Sequence, residues 1–170
     1  MRGGEKVQKL PLFRTDKELT QIYCRHVDTV YRICFMYMKN AHDTEDMVQN
    51  TFIRLIKDGT RFESAEHEKA WLIRTATNLC IDHFRSPWAR TAYLEDIGQP
   101  AETFSFEIDY TIEKVKKLPP KYRTAIYLYY YEGYSTPEIA KILGKNESTV
   151  RNYLHKGRKL LKMEMEDDSL

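Results

Sequence analysis

The stretch that decides the fold is STPEIAKILGKNESTVRNYLHK, residues 135–156. Ser135 and Glu138 have the spacing of a capping box, which begins a helix, and Gly144 stands where a helix would end. Asn146 can cap a second helix directly afterwards. The pattern therefore predicts two short helices joined by a tight turn.

The spacing inside this stretch matches a helix-turn-helix. Counted from Thr136, that motif needs a small residue at the fifth position, where the helices cross, a glycine at the ninth and an apolar β-branched residue at the fifteenth. Ala140, Gly144 and Val150 meet these three demands. A helical hairpin used only for packing is the alternative interpretation.

Basic charge favours nucleic acid as the partner of this motif. Residues 114–162 contain twelve lysines and arginines against three glutamates, which is an electrostatic footprint for phosphate. On the solvent face of the second helix we expect Arg151, Asn152 and His155 nearest the bases, with lysines and Arg158 on phosphates. The full set of predicted contacts is Lys145, Ser148, Thr149, Arg151, Asn152, His155, Lys156, Arg158 and Lys159.

Three further helices are predicted before Pro87. The first follows a capping box of Thr15 and Glu18. The second follows Asp43, a possible cap, and ends near Gly59. Its predicted apolar stripe is Val48, Phe52, Leu55 and Ile56. The third follows a polar stretch, residues 60–68, and ends before Pro87.

Between these helices and the basic segment, the helical pattern fades. Gly98 and Pro100 interrupt residues 87–106, and acids outnumber the single base Arg90. No useful β-alternation occurs anywhere in the sequence. We therefore predict an all-α protein of two small helical domains, 1–86 and 107–170, joined by a flexible acidic linker, 87–106.

The third helix and the loop before it mix aromatic, basic and amide groups. Such mixtures stack on unpaired bases and hydrogen-bond to them. The alternative is that Trp71 belongs to the core while Arg74 and Asn78 form an ordinary solvated face. The candidate residues are Arg61, Phe62, Lys69, Trp71, Arg74, Asn78, His83 and Arg85.

Composition excludes several classes of protein. No apolar run approaches the length of a membrane span, and the basic start precedes no signal-like apolar segment, so we expect a cytoplasmic protein without membrane insertion. Cys24, Cys34 and Cys80 are odd in number and widely spaced, which argues against disulfides and zinc. We expect them to be buried small hydrophobes, and expect neither metal nor cofactor.

At this point the chain resembles a known family, the extracytoplasmic-function (group 4) sigma factors of the sigma-70 family. The stretches EDMVQNTF at 45–52 and AWLIRTATNLCIDHFR at 70–85 are similar to that family's region 2. Similar to its region 4 are LPPKYR at 118–123, Glu132–Gly133, EIA at 138–140, LG at 143–144 and STVR at 148–151. The resemblance covers nearly the whole chain, in the family's order.

The resemblance implies a transcription initiation factor, not an enzyme. It implies that the second helix docks on the β′ clamp helices of core RNA polymerase through Glu45, Asp46, Gln49, Asn50 and Phe52, although acids at a helix start also simply favour the helix dipole. The third helix would capture an unstacked minus-10 base and the helix-turn-helix would read the minus-35 element. Further implied partners are the β flap, promoter DNA and an anti-sigma factor.

Two rival classes remain open on the residues alone. A plain helix-turn-helix repressor or response-regulator output domain leaves the segments 46–52 and 71–85 without a role. An enzyme would need catalytic partners for Asp82–His83, His42–Asp43 or a cysteine, and the sequence holds no H-E-x-x-H, phosphate loop or nucleophile elbow.

Overall fold

The chain adopts an all-α fold in a computed structural model that describes residues 14–38, 40–85 and 110–167. These residues contain no strand, so the all-α prediction is confirmed. The proposed linker, 87–106, lies outside the described residues. The described residues form seven helices: α1 Asp16–Met38, α2 Ala41–Lys57, α3 Ala65–Arg85, α4 Tyr110–Lys117, α5 Pro120–Tyr130, α6 Thr136–Leu143 and α7 Glu147–Asp167.

Helices α1 and α6 begin at the capping boxes predicted from the sequence, and local hydrogen bonds stabilise these starts. At α1 the Thr15 amide donates to Glu18 Oε2 at 2.8 Å and the Glu18 amide donates to Thr15 Oγ1 at 3.2 Å. The same reciprocal pair joins Ser135 and Glu138 at α6. These hydrogen bonds hold the pKa of both glutamates below its usual value, because they favour the carboxylate.

Two helix starts differ from the prediction. Asn40 caps α2 in place of Asp43, whose amide donates to Asn40 Oδ1 at 2.9 Å. Helix α3 begins at Ala65, inside the stretch predicted to be irregular. Its first turn is almost entirely polar, so hydrophobic periodicity carries no signal for it.

The amino-terminal bundle packs α1, α2 and α3 around one core. Ile33, Leu55 and Ile73, one from each helix, are no more than 1% exposed. Cys34 and Cys80 are buried there as predicted, and hydrogen bonding with Cys34 and burial both raise the pKa of the Cys80 thiol. Cys24 is exposed, so that part of the prediction is wrong; it lies off the buried side of α1.

The carboxy-terminal bundle packs α7 across α5, which requires a glycine at the crossing. A Cβ added at Gly157 would lie 2.8 Å from Ile126 Cγ1 and 3.5 Å from Tyr122 Cβ. Ile126 is itself 1% exposed and has little room to move. Gly157 therefore sets how closely these two helices approach.

We expect Gly157→Ala to lower the free energy of unfolding by about 1 to 2 kcal/mol, because overpacking outweighs the roughly 1 kcal/mol gained in helix propensity. Urea denaturation followed by circular dichroism measures the change. Gly59→Ala is the control, since an added Cβ there meets nothing within 4 Å. An equal response of the two variants would contradict this account of the crossing.

The two bundles contact each other through α1 with α5 and α3 with α6. The Arg123 guanidinium donates to the Met36 carbonyl, and the Tyr37 hydroxyl shares a hydrogen bond with Thr124 Oγ1. All four residues are buried. None of the described helices combines the length and apolar character that crossing a membrane requires.

Candidate nucleic-acid interface

The helix-turn-helix predicted from the spacing is present in α6 and α7. Gly144 ends α6 with φ +61° and ψ +39°, a left-handed conformation that suits glycine. The Lys145 amide donates to the Ala140 carbonyl at 2.9 Å, which closes the turn. Ala140 and Val150 are both buried at the helix crossing. Each residue that defined the motif thus occupies the place its chemistry requires.

The exposed face of α7 displays most of the predicted base and phosphate contacts. Asn146 caps the helix through a 2.8 Å hydrogen bond from the Thr149 amide to its Oδ1, and Thr149 is half-buried. Arg151 Nη1 lies 3.0 Å from Glu147 Oε1, one turn earlier. The other predicted residues are also exposed: Lys145 in the turn before α7, and Ser148, Asn152, His155, Lys156, Arg158 and Lys159 on α7.

Five of the eight residues predicted around the third helix line two clefts. The first cleft, about 400 Å³, lies between the start of α1 and the loop before α3 and includes Arg14, Arg25, Arg61 and Phe62 in its lining. The Arg14 guanidinium lies 4.8 Å from the centre of the Phe62 ring. It also donates to the carbonyls of residues 55, 58 and 60, which fixes its position. The lining also contains Glu18 and Glu68, and Arg25 Nη1 lies 2.8 Å from Glu68 Oε1.

The second cleft, about 430 Å³, lies between α2 and α3. Arg54 and Lys57 of α2 face Trp71, Arg74 and Asn78 of α3 across it. Trp71 is half-buried, with its ring 5.8 Å from that of Phe62. Trp71 thus serves both as packing and as a wall of the cleft.

Three of the predicted residues lie outside both clefts. Lys69 Nζ contacts Glu132 Oε2 of the second bundle at 2.7 Å. His83 is half-buried against Phe84, and Arg85 is exposed near Asp82. The predicted set is therefore not one continuous surface.

Four cations in the clefts were missed by sequence reasoning: Arg14, Arg25, Arg54 and Lys57. Arg54 and Lys57 are three residues apart on α2, a spacing that puts side chains on one helix face. The sequence alone therefore contained this spacing. Their placement opposite Trp71 depends on how α2 packs against α3.

Helix α2 presents a third surface, which we call the α2 face: Glu45, Asp46, Gln49, Asn50, Ile53 and Ile56, all exposed. Phe52 does not lie on it, because its side chain is 8% exposed and packs 4.8 Å from the Tyr23 ring. Ile56, predicted on the buried stripe, is 48% exposed instead. Ile53 was missed. Apolar side chains thus accompany the predicted polar ones.

Comparison with known proteins places both halves of the chain in one family. The model of sigma-70 region 2 matches residues 22–90, and that of sigma-70 region 4 matches residues 109–161. The chain is 33% identical over 158 residues to the ECF RNA polymerase sigma factor SigW of Bacillus subtilis, covering 82% of this chain and 84% of SigW. The chain belongs to the ECF sigma factors of the sigma-70 family.

Other ECF sigma factors extend the comparison. The SigE factor of Mycolicibacterium smegmatis is 35% identical over 149 residues, which cover 81% of this chain and 58% of SigE. In fold, the chain resembles Bartonella quintana RpoE, solved with the anti-sigma factor NepR, at a TM-score of 0.68 and 21% identity over 88% of this chain and 98% of RpoE. CnrH, solved with the cytosolic domain of CnrY, gives a TM-score of 0.65 at 24% identity over 91% of each chain.

Membership of this family explains why an amino-terminal bundle and a helix-turn-helix occur on one chain, which the rival interpretations left unexplained. In an ECF sigma factor the amino-terminal bundle is region 2 and the helix-turn-helix belongs to region 4. A plain repressor would need only the second of these. The family is one of transcription initiation factors.

Proposed function

We propose that this ECF sigma factor directs core RNA polymerase to promoters through three surfaces: the exposed side of α7, the two clefts of region 2 and the α2 face. The observation that supports this most strongly is the helix-turn-helix with an exposed basic and amide face, on the same chain as a separate bundle that displays aromatic and cationic clefts. We place its action in the cytoplasm and assign it no catalytic role of its own.

We assign the reading of the minus-35 element to α7. The major groove of B-DNA admits an α-helix, and base edges there offer distinct patterns of donors and acceptors. Arg151, Asn152 and His155 supply matching groups on the exposed side of the helix. Lys145, Lys156, Arg158 and Lys159 lie around them and suit phosphate oxygens, which position a protein without reading sequence.

Arg151→Ala should weaken binding by about 1 to 3 kcal/mol at one base pair of the minus-35 element. Competition binding of holoenzyme to promoters that vary one base pair at a time measures this. Lys159→Ala is the matched comparison: as a phosphate contact it should weaken all sequences alike and reduce the salt dependence of binding. A uniform loss for Arg151→Ala would contradict its assignment to a base.

We assign the minus-10 element to the two clefts of region 2. The first cleft offers the Phe62 ring with Arg14 and Arg61, which suit an unstacked base and its phosphates, while Arg25 is paired with Glu68. In the second cleft, Arg54, Lys57 and Arg74 suit the backbone of the same strand, and Trp71 lies between the clefts. Single strands bind where cations lie close to an aromatic ring, because the cations contact the backbone and every base has a face that can stack on the ring.

We assign the docking of the β′ clamp helices to the α2 face. Its acids and amides at 45, 46, 49 and 50 continue into Ile53 and Ile56, which are 43% and 48% exposed. Apolar side chains beside polar ones suit an interface, where an apolar centre is surrounded by a polar rim. Region 4 is proposed to contact the β flap.

An anti-sigma factor is the remaining proposed partner. The similar folds of RpoE and CnrH were solved with the anti-sigma factor NepR and with the cytosolic domain of CnrY, respectively. We propose that a protein of this class covers the α2 face of this chain, because exposed isoleucines there favour a protein contact.

Transcription by purified core RNA polymerase, with and without this protein, tests the proposed function. On a library of promoter fragments we expect transcripts that share minus-35 and minus-10 elements only when the protein is added. Promoter selection that does not change on addition would contradict the proposal.

A further inference from the structure

A single acid interrupts the basic face of the helix-turn-helix. Between residues 139 and 162 the sequence has seven lysines and arginines, and Glu147 is the only acid. Glu147 is the first residue of α7. A carboxylate at this place repels the DNA phosphates that the surrounding cations attract. Glu147 therefore opposes the general affinity for DNA that the rest of the face provides.

Glu147 contacts one of the side chains that we assign to bases. Arg151 Nη1 lies 3.0 Å from Glu147 Oε1, and Arg151 is exposed while Glu147 is half-buried. The two residues are four apart on α7, so their side chains lie on the same face of the helix. The ion pair draws the guanidinium toward the start of α7, the end of a recognition helix that contacts base edges.

The Glu147 carboxylate is also linked to the first helix of the motif. Thr136, the first residue of α6, donates from its hydroxyl to Glu147 Oε1 over a long hydrogen bond of 3.5 Å. Thr136 is half-buried as well. The oxygen that receives Arg151 is therefore held by both helices of the motif, and its position does not depend on α7 alone.

A second ion pair on α7 provides a comparison. Lys162 Nζ lies 3.8 Å from Glu166 Oε1, again with four residues between the two positions of the pair, and both side chains are exposed. This pair lies near the end of α7, beyond the helix-turn-helix. Exposed pairs of this type contribute little to stability. Any effect of the Glu147–Arg151 pair on DNA binding should therefore come from where it holds the guanidinium.

The chemistry of arginine connects this contact to specificity. A guanidinium has five N–H donors in a rigid fork, so one can bond to a carboxylate while others remain free for the O6 and N7 acceptors of guanine. An arginine that is not held can also bond to phosphate oxygens, which carry no sequence information. A contact that holds Nη1 thus favours the base over the phosphate.

We propose that Glu147 is a positioning residue for promoter recognition: it holds Arg151 toward the base edges of the minus-35 element. It thereby raises discrimination at one base pair while it lowers general affinity for DNA. This inference rests on the minus-35 assignment of α7 in the proposed function. The alternative role for an acid at a helix start is to favour the helix dipole, which affects helix stability but not the choice of base.

Competition binding of holoenzyme to promoters that differ at one base pair tests the positioning role. Arg151→Ala first identifies the base pair at which Arg151 acts. At that base pair, Glu147→Gln should reduce the preference about three- to tenfold, which is part of what a bidentate base contact supplies. Binding to the three other base pairs should stay equal or become tighter, because a charge that repels phosphate is removed.

A double-mutant cycle separates positioning from direct contact with a base. In the Arg151→Ala background, Glu147→Gln should leave the remaining preference unchanged, because no guanidinium is left to hold. Glu166→Gln is the control: it removes the same charge from the second ion pair of α7 and should bind like the parent. Circular dichroism verifies that each variant retains its helices.

An unchanged preference in Glu147→Gln would overturn the positioning role. A loss of equal size in the Arg151→Ala background would overturn it too, since Glu147 would then contact the base itself. A failure of the minus-35 assignment gives a different result, because Arg151→Ala would then weaken binding to all promoters alike.

Discussion

The variant Asp46→Ala/Gln49→Ala/Ile53→Ala should bind core RNA polymerase about 10- to 100-fold more weakly than the parent protein, since truncating a few central residues removes much of an interface's binding energy. All three side chains are exposed on one side of α2. They contact solvent in the free protein, so the helix content should stay the same. Binding of the fluorescently labelled protein to purified core polymerase measures the loss.

The control for this experiment is Asp28→Ala, which removes an acid from an exposed position on α1. It should bind polymerase like the parent. Unchanged affinity of the triple variant would remove the α2 face from the proposed docking site. It would leave the assignment of α7 to DNA intact.

Ile73→Ala should lower the free energy of unfolding of region 2 by about 2 to 5 kcal/mol, because it removes buried methyl groups and leaves a cavity. Ile73 is 0% exposed in the core shared by α1, α2 and α3. Urea denaturation monitored by circular dichroism measures the change. Of all the single substitutions considered for this chain, we expect this one to destabilise it most.

Ile56→Ala makes the same chemical change at a position that is 48% exposed. It should change stability by about 0.5 kcal/mol or less, as expected for surface positions. Equal losses in the two variants would mean that the core of region 2 is not where the structure places it.

The sequence by itself determined the features that depend on residues close together along the chain. The capping boxes at Thr15 and Ser135, the turn at Gly144 and the end of α3 before Pro87 each depend on residues within a few positions of one another. Backbone conformation and short-range hydrogen bonds decide such features, so a linear pattern contains them. The helix-turn-helix, and with it the expectation of DNA binding, could therefore be predicted without coordinates.

Patterns along a single helix did not predict which residues at the edges of its apolar stripe are buried. Phe52 and Ile56 stood together on the predicted apolar stripe of α2, yet one is buried and the other exposed. Periodicity gives the direction of a side chain around its own helix axis. Which part of an apolar stripe is covered depends on where the neighbouring helices lie, and a single helix does not contain that information.

Only the tertiary structure decided which groups from different helices meet. It placed Arg54 and Lys57 opposite Trp71, brought Arg14 over Phe62 and set Glu132 against Lys69 from the other bundle. Such pairs form because the close packing of whole cores fixes how the helices cross. Local sequence sets each helix and its exposed chemistry, whereas the packing of many buried side chains at once decides which of those surfaces face one another.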